Sequence, residues 1–249
     1  QTCAPDLFFA GLARNCESEV SANIDAVVQI ATLIKPDSFT IYVCENDSVD
    51  QTRSLILTRA RIYPQLIPIF LDGLTLEIKD LVPRISHCRN LLLERIKTEA
   101  HGLSHALYIP IDLDSSIASS LDCHQFRNAI TFLLGSQWDA VFPFSKPYYY
   151  DVYALRASDW CSYNCVQKMR TMPVRGKAAS LLSFLWYVSR HQRPATPFET
   201  HPIPVDSAFG GVGIYRLDSI QNSHYPAQDE DDTAMTCEHV RFNLPIPMK

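Results

Sequence analysis

Two aspartates, Asp112 and Asp114, follow an apolar run of strand-like length in the segment LYIPIDLDSS. In an extended backbone alternate side chains share one face, so both carboxylates can reach the same hard divalent cation. A pair with this spacing also occurs in solvated turns. The choice between a metal site and a turn therefore depends on the residues that accompany the pair.

Arg89 is the second residue whose position suggests chemistry. Residues from about 82 to 100 have apolar side chains at helical spacing, and Arg89 lies inside the apolar face of that predicted helix. An unpaired buried charge is too costly, so Arg89 requires an anion, either a buried carboxylate or a phosphate. Arg84 lies near the start of the same helix, where the helix end also favours negative charge.

Alternating strands and helices would position these side chains. Strands predicted near residues 7–12, 39–44 and 107–111 end in the polar segments ARN, ENDS and DLDSS. The β-α order predicts an α/β fold with a mostly parallel sheet and helices on both faces. Ligands bind beyond the carboxyl ends of such strands, which is where the polar segments lie.

The predicted elements become less regular beyond the central strand. Pro110 is expected to mark the point where that strand leaves the ladder. A helix ending at Gly135 should be followed by strands at 138–144 and 148–155, and then by a loop over 157–176. Glycines 210, 211 and 213 interrupt a later strand, which indicates close approach by a ligand or another backbone. DEDD, at 229–232, is expected to be a solvated loop.

Composition limits the class of protein. The chain has 249 residues, 47% hydrophobic and 20% charged, which fits one globular domain. A net charge of -5 argues against nucleic-acid binding. No apolar run approaches the ~20 residues that span a bilayer. Gln1 is not methionine, so an anchor could have been removed; the cytoplasm is favoured, with the Golgi or ER lumen as the alternative in that case.

Eight cysteines are present, without a CxxC pair or the spacing of a zinc finger. Most are expected to be reduced thiols in a core. If the chain contains a disulfide, the expected pair is Cys161 with Cys165.

Six segments, in order along most of the chain, resemble a known group of enzymes. They are VCENDSVDQT, RISHCRN, IDLD, YYYDVYALR, SAFGGVGIYR and CEHV. Together they resemble nucleotide-sugar-dependent glycosyltransferases of the GT-A fold, in particular a bacterial and viral group related to the fungal capsule mannosyltransferase family. The resemblance implies one GT-A domain over 1–249, with a nucleotide-sugar-binding half (1–116) and an acceptor-side half (117–249).

The implied activity is transfer of a hexose from a nucleotide-diphosphate sugar to a glycan, glycoconjugate or other hydroxyl acceptor in polysaccharide or glycan biosynthesis. Mn²⁺ or Mg²⁺ would be held by Asp112 and Asp114, with Asp114 favoured as the direct ligand, and His239 would complete the metal shell. A lone histidine such as His239 is otherwise more often structural. Membrane association would require a segment absent from this chain.

The resemblance also assigns residues to the donor. Glu45 would contact the nucleoside, although an acid at this position can also cap a helix or close a turn. Further donor-binding groups, besides Asp112, would be Arg84, Arg89 and Asn90.

The acceptor side is less specific. Carboxylates and guanidinium groups satisfy sugar hydroxyls and an indole offers an apolar face, which points to Asp151, Arg156 and Trp160. Gly210 and Gly211, in the segment SAFGGVGIYR, are also assigned to sugar or acceptor binding. Glu238 or Asp206 would deprotonate the acceptor if the enzyme inverts configuration, whereas a retaining enzyme needs no such base.

Two alternatives stay open. A sugar nucleotidyltransferase shares the sheet but has a glycine-rich N-terminal loop, where this chain has only Gly11. A catalytically inactive carbohydrate- or nucleotide-binding protein could keep the same fold. Dinucleotide-binding and P-loop proteins are disfavoured, because the chain has no GxGxxG after its first strand and no GK[ST].

Overall fold

The computed structural model describes residues 5–35, 38–115, 117–145, 148–173, 176–192, 202–226 and 236–243. These residues form two compact units. The first comprises the described residues up to Val141 together with Gly211–His224, and the second comprises those of Phe142–Gly210 and from Tyr225 onward. The predicted boundary at residue 116 stays a prediction.

The first unit contains a six-stranded sheet. Its strands are β1 (Asp6–Ala13), β2 (Phe39–Asn46), β3 (Leu66–Leu71), β4 (Ala106–Asp112), β5 (Ala140–Val141) and β6 (Ile214–Arg216). They lie in the order β3-β2-β1-β4-β6-β5. Strands β1 to β4 are mutually parallel, whereas β6 is antiparallel to both β4 and β5. The predicted fold class, an α/β fold with a mostly parallel sheet, is confirmed.

Helices cover the two faces of this sheet. The helices of the first unit are α1 (Val20–Ile34), α2 (Thr52–Ile62), α3 (Leu74–Glu77), α4 (Leu81–Glu99) and α5 (Cys123–Gly135). Alternate strand residues such as Phe9, Val43 and Ile111 share one apolar core with α1, α2 and α5. The intervening residues face α4, where the Tyr42 hydroxyl donates to Glu99.

Pro110 does not end the pairing of β4, contrary to the prediction. β4 stays in register with β1 through Ala10–Pro110 and Leu12–Asp112. The Pro110 carbonyl accepts from Gly213 N at 3.1 Å, on the side of β4 away from β1. Because N–H and C=O of one strand residue point to the same side, the missing donor of proline affects only that antiparallel edge.

Other predicted elements in the second half were wrong. Of 138–144 only Ala140–Val141 forms a strand, and 148–155 is turn and irregular structure. The predicted loop at 157–176 contains a helix that begins at Cys165. The apolar side chains of these segments pack into a small separate core and do not form strands of a sheet. The helices of the second unit are α6 (Cys165–Thr171), α7 (Lys177–Tyr187) and α8 (Glu238–Asn243).

Among the described residues, no helix is both long and apolar enough to cross a membrane. The acidic segment at 229–232 lies outside the described residues.

Candidate functional site

Arg89 and Asp112 form an ion pair at the carboxyl edge of the sheet. Asp112 is the last residue of β4, and Arg89 lies on α4, which packs on the same sheet face. Arg89 Nη2 donates to Asp112 Oδ1 at 2.9 Å, with the arginine side chain 4% exposed and the aspartate side chain 31% exposed. Of the two anions considered for Arg89, a carboxylate is the one present within the chain.

Asp114 lies two residues further on and is exposed. Leu113 between the two aspartates is 1% exposed and belongs to the core on the opposite sheet face. Burial raises the pKa of the Cys16 thiol to about 11, and the nearby charge of Asp114 adds to that shift. Cys16 follows β1, so Asp114 lies near the carboxyl ends of both β1 and β4.

Asn23 fixes the backbone that carries Asp114. This side chain on α1 is fully buried, and its Nδ2 donates to the carbonyls of Leu113 (3.0 Å) and Ser115 (2.6 Å). Its Oδ1 accepts from Ala118 N at 2.9 Å. Three hydrogen bonds from one buried amide hold the turn after β4, because a buried amide must satisfy both its donor and its acceptor.

Close packing on both sides also fixes the end of β4. A Cβ on Gly11 would lie 2.5 Å from Leu113 Cδ1, so any larger residue at position 11 would force the buried Leu113 side chain to shift. On the other side Asp112 N donates to Gly211 O at 2.9 Å. Gly211 has a φ of +86°, a conformation that side chains with a Cβ rarely adopt. The predicted close approach of another backbone is observed at Gly210, where a Cβ would lie 3.3 Å from the carbonyl oxygen of Pro143.

Glu45 is fully buried at the end of β2, and its two carboxylate oxygens both have partners. Oε1 accepts from Ser48 N at 2.8 Å, and Oε2 accepts from Arg53 Nε at 2.6 Å. Arg53 lies on α2, so the Glu45 carboxylate is on the sheet face opposite to Asp112. Within this structure Glu45 closes a turn and neutralises Arg53; its contact with a nucleoside stays a prediction.

Asp47, in the same segment, holds the start of α3. Its carboxylate accepts from Gly73 N (2.6 Å) and Thr75 N (2.7 Å). Burial opposes ionisation, but the two backbone N–H groups outweigh it and hold the pKa of Asp47 at about 2. The residue adopts a φ of +50° to make these contacts.

The two polar segments that follow β1 and β2 are hydrogen-bonded to each other. Asn15 accepts from Val49 N at 2.9 Å and donates its own N–H to Ser48 Oγ at 3.0 Å. Glu17 N donates to Asp50 at 3.1 Å, and Cys16 N donates to the Thr52 hydroxyl at 2.8 Å. Many polar groups at this edge of the sheet therefore form hydrogen bonds that hold the two loops together.

Arg84 and Asn90 flank Arg89 on α4. Arg84 is 8% exposed, and its Nη1 donates to the carbonyls of Ile78 (3.0 Å) and Lys79 (3.2 Å). Its charge thereby holds the segment that leads into α4. Asn90 is half-buried on the same helix.

The predicted acceptor-side residues lie in the second unit, apart from Gly211. Asp151 accepts from Ala154 N (3.2 Å) and Gly210 N (3.1 Å), so it joins two segments of this unit. Arg156 is 8% exposed and donates to the carbonyls of Tyr153 and Leu155. These contacts give Asp151 and Arg156 structural roles, and their binding of sugar stays a prediction.

Asp206 and Trp160 lie at the surface side of the same unit. Asp206 Oδ2 accepts from the Ser158 hydroxyl at 2.9 Å, an exposed contact. Trp160 is half-buried and packs against the small core of the unit. Both are accessible enough for the contacts predicted for them.

Glu238 and His239 begin α8 and are buried, at 7% and 2% exposure. His239 stacks on Phe209 with ring centroids 3.7 Å apart. It also makes an edge-to-face contact with Tyr225, with ring centroids 5.6 Å apart. The imidazole is packed among aromatic rings, the structural role that was the alternative to metal binding. Its place in a metal shell, and the role of Glu238 as a base, stay predictions.

The carboxylates at the end of β4 offer only oxygen ligands. Among the described residues of the first unit, no group of three His, Cys, Asp or Glu ligand atoms converges. Mg²⁺ and similar hard ions are often held by one or two carboxylates, with waters and substrate phosphates completing the shell. Asp112 and Asp114 are ligands of that type, and their binding of an ion stays a prediction.

Sequence reasoning missed Asn23 and Arg53. Asn23 lies in the apolar stripe of the helix predicted at 18–34, and a polar side chain in such a stripe signals a buried hydrogen-bonding role. Arg53 had no comparable signal, because its partners Glu45 and Asp72 are brought to it only by folding.

Comparisons with known proteins found similar solved structures. No protein-family model and no curated protein sequence matches the chain. Solved structures similar to it include a mannosyltransferase from Pyrobaculum calidifontis in complex with GDP-Man and Mn²⁺, at 17% identity and a TM-score of 0.42, covering 59% of this chain and 37% of that one.

Two further similar structures are bacterial. TarS 1-349 of S. aureus in complex with UDP has 12% identity and a TM-score of 0.49, covering 96% of this chain and 54% of that chain. Glucosyl-3-phosphoglycerate synthase from Mycobacterium tuberculosis with UDP has 12% identity and a TM-score of 0.39, with coverage of 87% and 58%. The chain spans between about a third and three fifths of the length of these proteins.

Proposed function

We propose that the protein is a metal-dependent glycosyltransferase that uses a nucleotide-diphosphate sugar as donor. The observation that carries this proposal is the Arg89–Asp112 pair at the carboxyl edge of the parallel strands, with the exposed Asp114 two residues beyond it. Ligands of α/β sheets bind at that edge. A guanidinium group and two carboxylates there provide opposite charges for a diphosphate and for its counter-ion.

Each side chain has a distinct role in this proposal. Asp114 is the direct metal ligand, because its carboxylate is exposed whereas Asp112 Oδ1 already accepts from Arg89. Arg89 orients Asp112 and contributes positive charge next to the diphosphate. Bound Mn²⁺ or Mg²⁺ would act as a Lewis acid that stabilises negative charge on the departing nucleoside diphosphate. Asn23 keeps the Asp114 backbone in place through its three hydrogen bonds.

The remaining donor and acceptor assignments extend the proposal. Arg84, Asn90 and Glu45 would shape the donor pocket, and Asp151, Arg156 and Trp160 would contact sugars. Either Glu238 or Asp206 would act as the base in an inverting reaction, with His239 as a further metal ligand. These roles are tested separately from the central one, by substitution of each residue in an assay of the identified donor.

The test measures release of nucleoside diphosphate from a panel of UDP, GDP, CDP and dTDP sugars, with Mn²⁺, with Mg²⁺ and with chelator. A thermal-shift measurement with each donor accompanies it. We expect the donors that carry one particular nucleotide base to raise the Tm. The protein should release nucleoside diphosphate from these donors only when the metal is present. Asp114→Asn should abolish metal-dependent turnover and weaken Mn²⁺ binding, which can be followed directly from the EPR signal of free Mn²⁺. The exposed Asp159→Asn serves as the matched control and should behave like the unmodified chain.

Other outcomes favour the alternatives. Donor binding without any release of nucleoside diphosphate, for all acceptors offered, would indicate an inactive binding protein. Formation of pyrophosphate from a nucleoside triphosphate and a sugar 1-phosphate would indicate a nucleotidyltransferase. Unchanged Mn²⁺ binding by Asp114→Asn would overturn the metal assignment.

A further inference from the structure

Three metal-ligating side chains converge in the second unit, and the proposed function uses none of them. They are Cys161, Cys165 and His191, which are 0%, 0% and 4% exposed. One ligand atom from each lies within 4.8 Å of the other two. Among the described residues, no other group of three His, Cys, Asp or Glu side chains brings its ligand atoms this close together.

Both cysteines are free thiols whose sulfur atoms lie 3.2 Å apart. The disulfide considered from the sequence is therefore not present in this structure. In a tetrahedral zinc site with Zn–S bonds of about 2.3 Å, two ligand sulfurs lie about 3.8 Å apart. The observed separation of 3.2 Å is shorter than this, so each cysteine sulfur would move by a few tenths of an ångström to make room for an ion. The backbone supports this position, since Cys161 and Ala157 exchange N–H···O bonds of 2.9 and 3.0 Å.

His191 presents one defined nitrogen. Its Nδ1 lies 3.1 Å from the carbonyl oxygen of Tyr187. Because a carbonyl can only accept, Nδ1 carries the proton and Nε2 has the lone pair. Nε2 lies 3.4 Å from the Tyr163 hydroxyl, which a bound ion would displace as its partner. Metal-ligating histidines typically donate their other ring N–H to a carbonyl or carboxylate in this way.

The charge of this ligand set also suits a divalent ion. Two thiolates would balance the charge of a divalent ion inside this small core. Sulfur and imidazole ligands together select zinc over the hard ions that oxygen sites bind.

A cross-link has a clear structural use here. The buried cluster around these cysteines is small: among the described residues it has eight members, and two of them are the cysteines themselves. Large side chains on α7 contribute little to it, since Leu182 and Trp186 are 66% and 61% exposed. Small cores commonly depend on a metal or a disulfide for stability. An ion would join the turn at Cys161, the start of α6 and the segment after α7.

We propose that Cys161, Cys165 and His191 bind one zinc ion, with water in the fourth position, and that this ion stabilises the second unit. The site is separate from the proposed donor metal, whose direct ligand is Asp114 in the first unit. Its loss would lower the stability of the protein even where the carboxylates at the end of β4 are intact.

The experiment measures zinc in the full chain, purified under reducing conditions without chelator, by inductively coupled plasma mass spectrometry. We expect about one zinc ion per chain, lost in Cys161→Ser, Cys165→Ser and His191→Gln. Cys123→Ser removes a thiol outside the cluster and should keep the ion. Asp114→Asn should also keep it, which separates this site from the proposed donor metal. Chelation should lower the Tm by several degrees.

A second measurement does not depend on variants that could fail to fold. Replacement of the bound ion by Co²⁺ should produce a thiolate-to-cobalt charge-transfer band and the intense visible bands of a four-coordinate ion. Absence of zinc and of these cobalt bands in the unmodified chain would overturn the proposal. Retention of zinc by the Cys161→Ser variant would also overturn it, as would a Cys161–Cys165 disulfide in anaerobically purified protein, detected by thiol alkylation.

Discussion

Arg89 on α4 donates to Asp112 at the end of β4 over 2.9 Å, and the guanidinium group is almost entirely buried. The pair connects a helix on one sheet face to the carboxyl edge of the central strand. An arginine buried in this way depends on its carboxylate partner, because removing either one leaves a charge in a low-dielectric environment.

A double-mutant cycle with Arg89→Met and Asp112→Asn should therefore show coupling. We expect a coupling free energy of about 1–2 kcal/mol in urea denaturation, lower than for a fully buried pair because Asp112 is partly exposed. The control is the ion pair of Lys97 with Glu94, also on α4, whose carboxylate is 65% exposed. That pair should couple by less than about 0.5 kcal/mol. Equal coupling in the two cycles would contradict a special role for the Arg89–Asp112 pair.

Asn23→Leu keeps the volume of the side chain but removes three hydrogen bonds to the turn after β4. We expect the free energy of unfolding to fall by about 2–3 kcal/mol, since each bond contributes about 1 kcal/mol and buried partners are left unsatisfied. Hydrogen exchange should accelerate in the same turn.

Asn128→Leu, on the exposed side of α5, is the control and should change the unfolding free energy by less than about 0.5 kcal/mol. Unaltered hydrogen exchange after β4 in Asn23→Leu would show that other contacts hold the turn.

Asp47 should contribute stability that depends on pH. Its pKa falls from an ordinary 3.8 to about 2 in the folded protein, where backbone N–H groups from Thr75 and Gly73 outweigh the opposing effect of burial. A depressed carboxyl pKa gives stability that is present above the unfolded pKa and is lost as pH falls through the folded pKa. Asp47→Asn should therefore cost about 1 kcal/mol near pH 6, after allowance for solvent screening, and nearly nothing near pH 2.

Urea denaturation of both proteins over that pH range measures the difference. Asp159→Asn, at an exposed site, should give a difference that does not vary with pH. A constant cost for Asp47→Asn from pH 6 to pH 2 would mean that the two backbone hydrogen bonds do not favour the ionised form.

Gly11→Ala tests the packing beneath the two aspartates. The added Cβ would lie 2.5 Å from Leu113 Cδ1. We expect a loss of about 1–3 kcal/mol in unfolding free energy, because Leu113 is buried and must shift. In Gly135→Ala nothing lies within 4 Å of the new Cβ, so stability should be unchanged or slightly raised. Similar effects of the two substitutions would show that Leu113 has room to move.

The periodicity of the first half determined the β-α order, the mostly parallel sheet and the edge where polar residues gather. Strong local signals, such as the β-branched and aromatic run of β2 and the helical stripe of α1, agree with the tertiary structure there, so local pattern and final packing coincide. The identity of Asp112 and Asp114 as the carboxylates at a strand end could also be read from the chain.

Tertiary structure alone decided which polar groups are engaged. Arg89 reaches Asp112 across 23 positions and Asn23 reaches Leu113 across 90, and no local pattern encodes such partners. The convergence of His191 with Cys161 and Cys165 arises in the same way, since a spacing in sequence says little about distance in a small irregular core. Sequence fixes what each side chain can do chemically, whereas the long-range contacts formed on folding determine which side chains are already occupied.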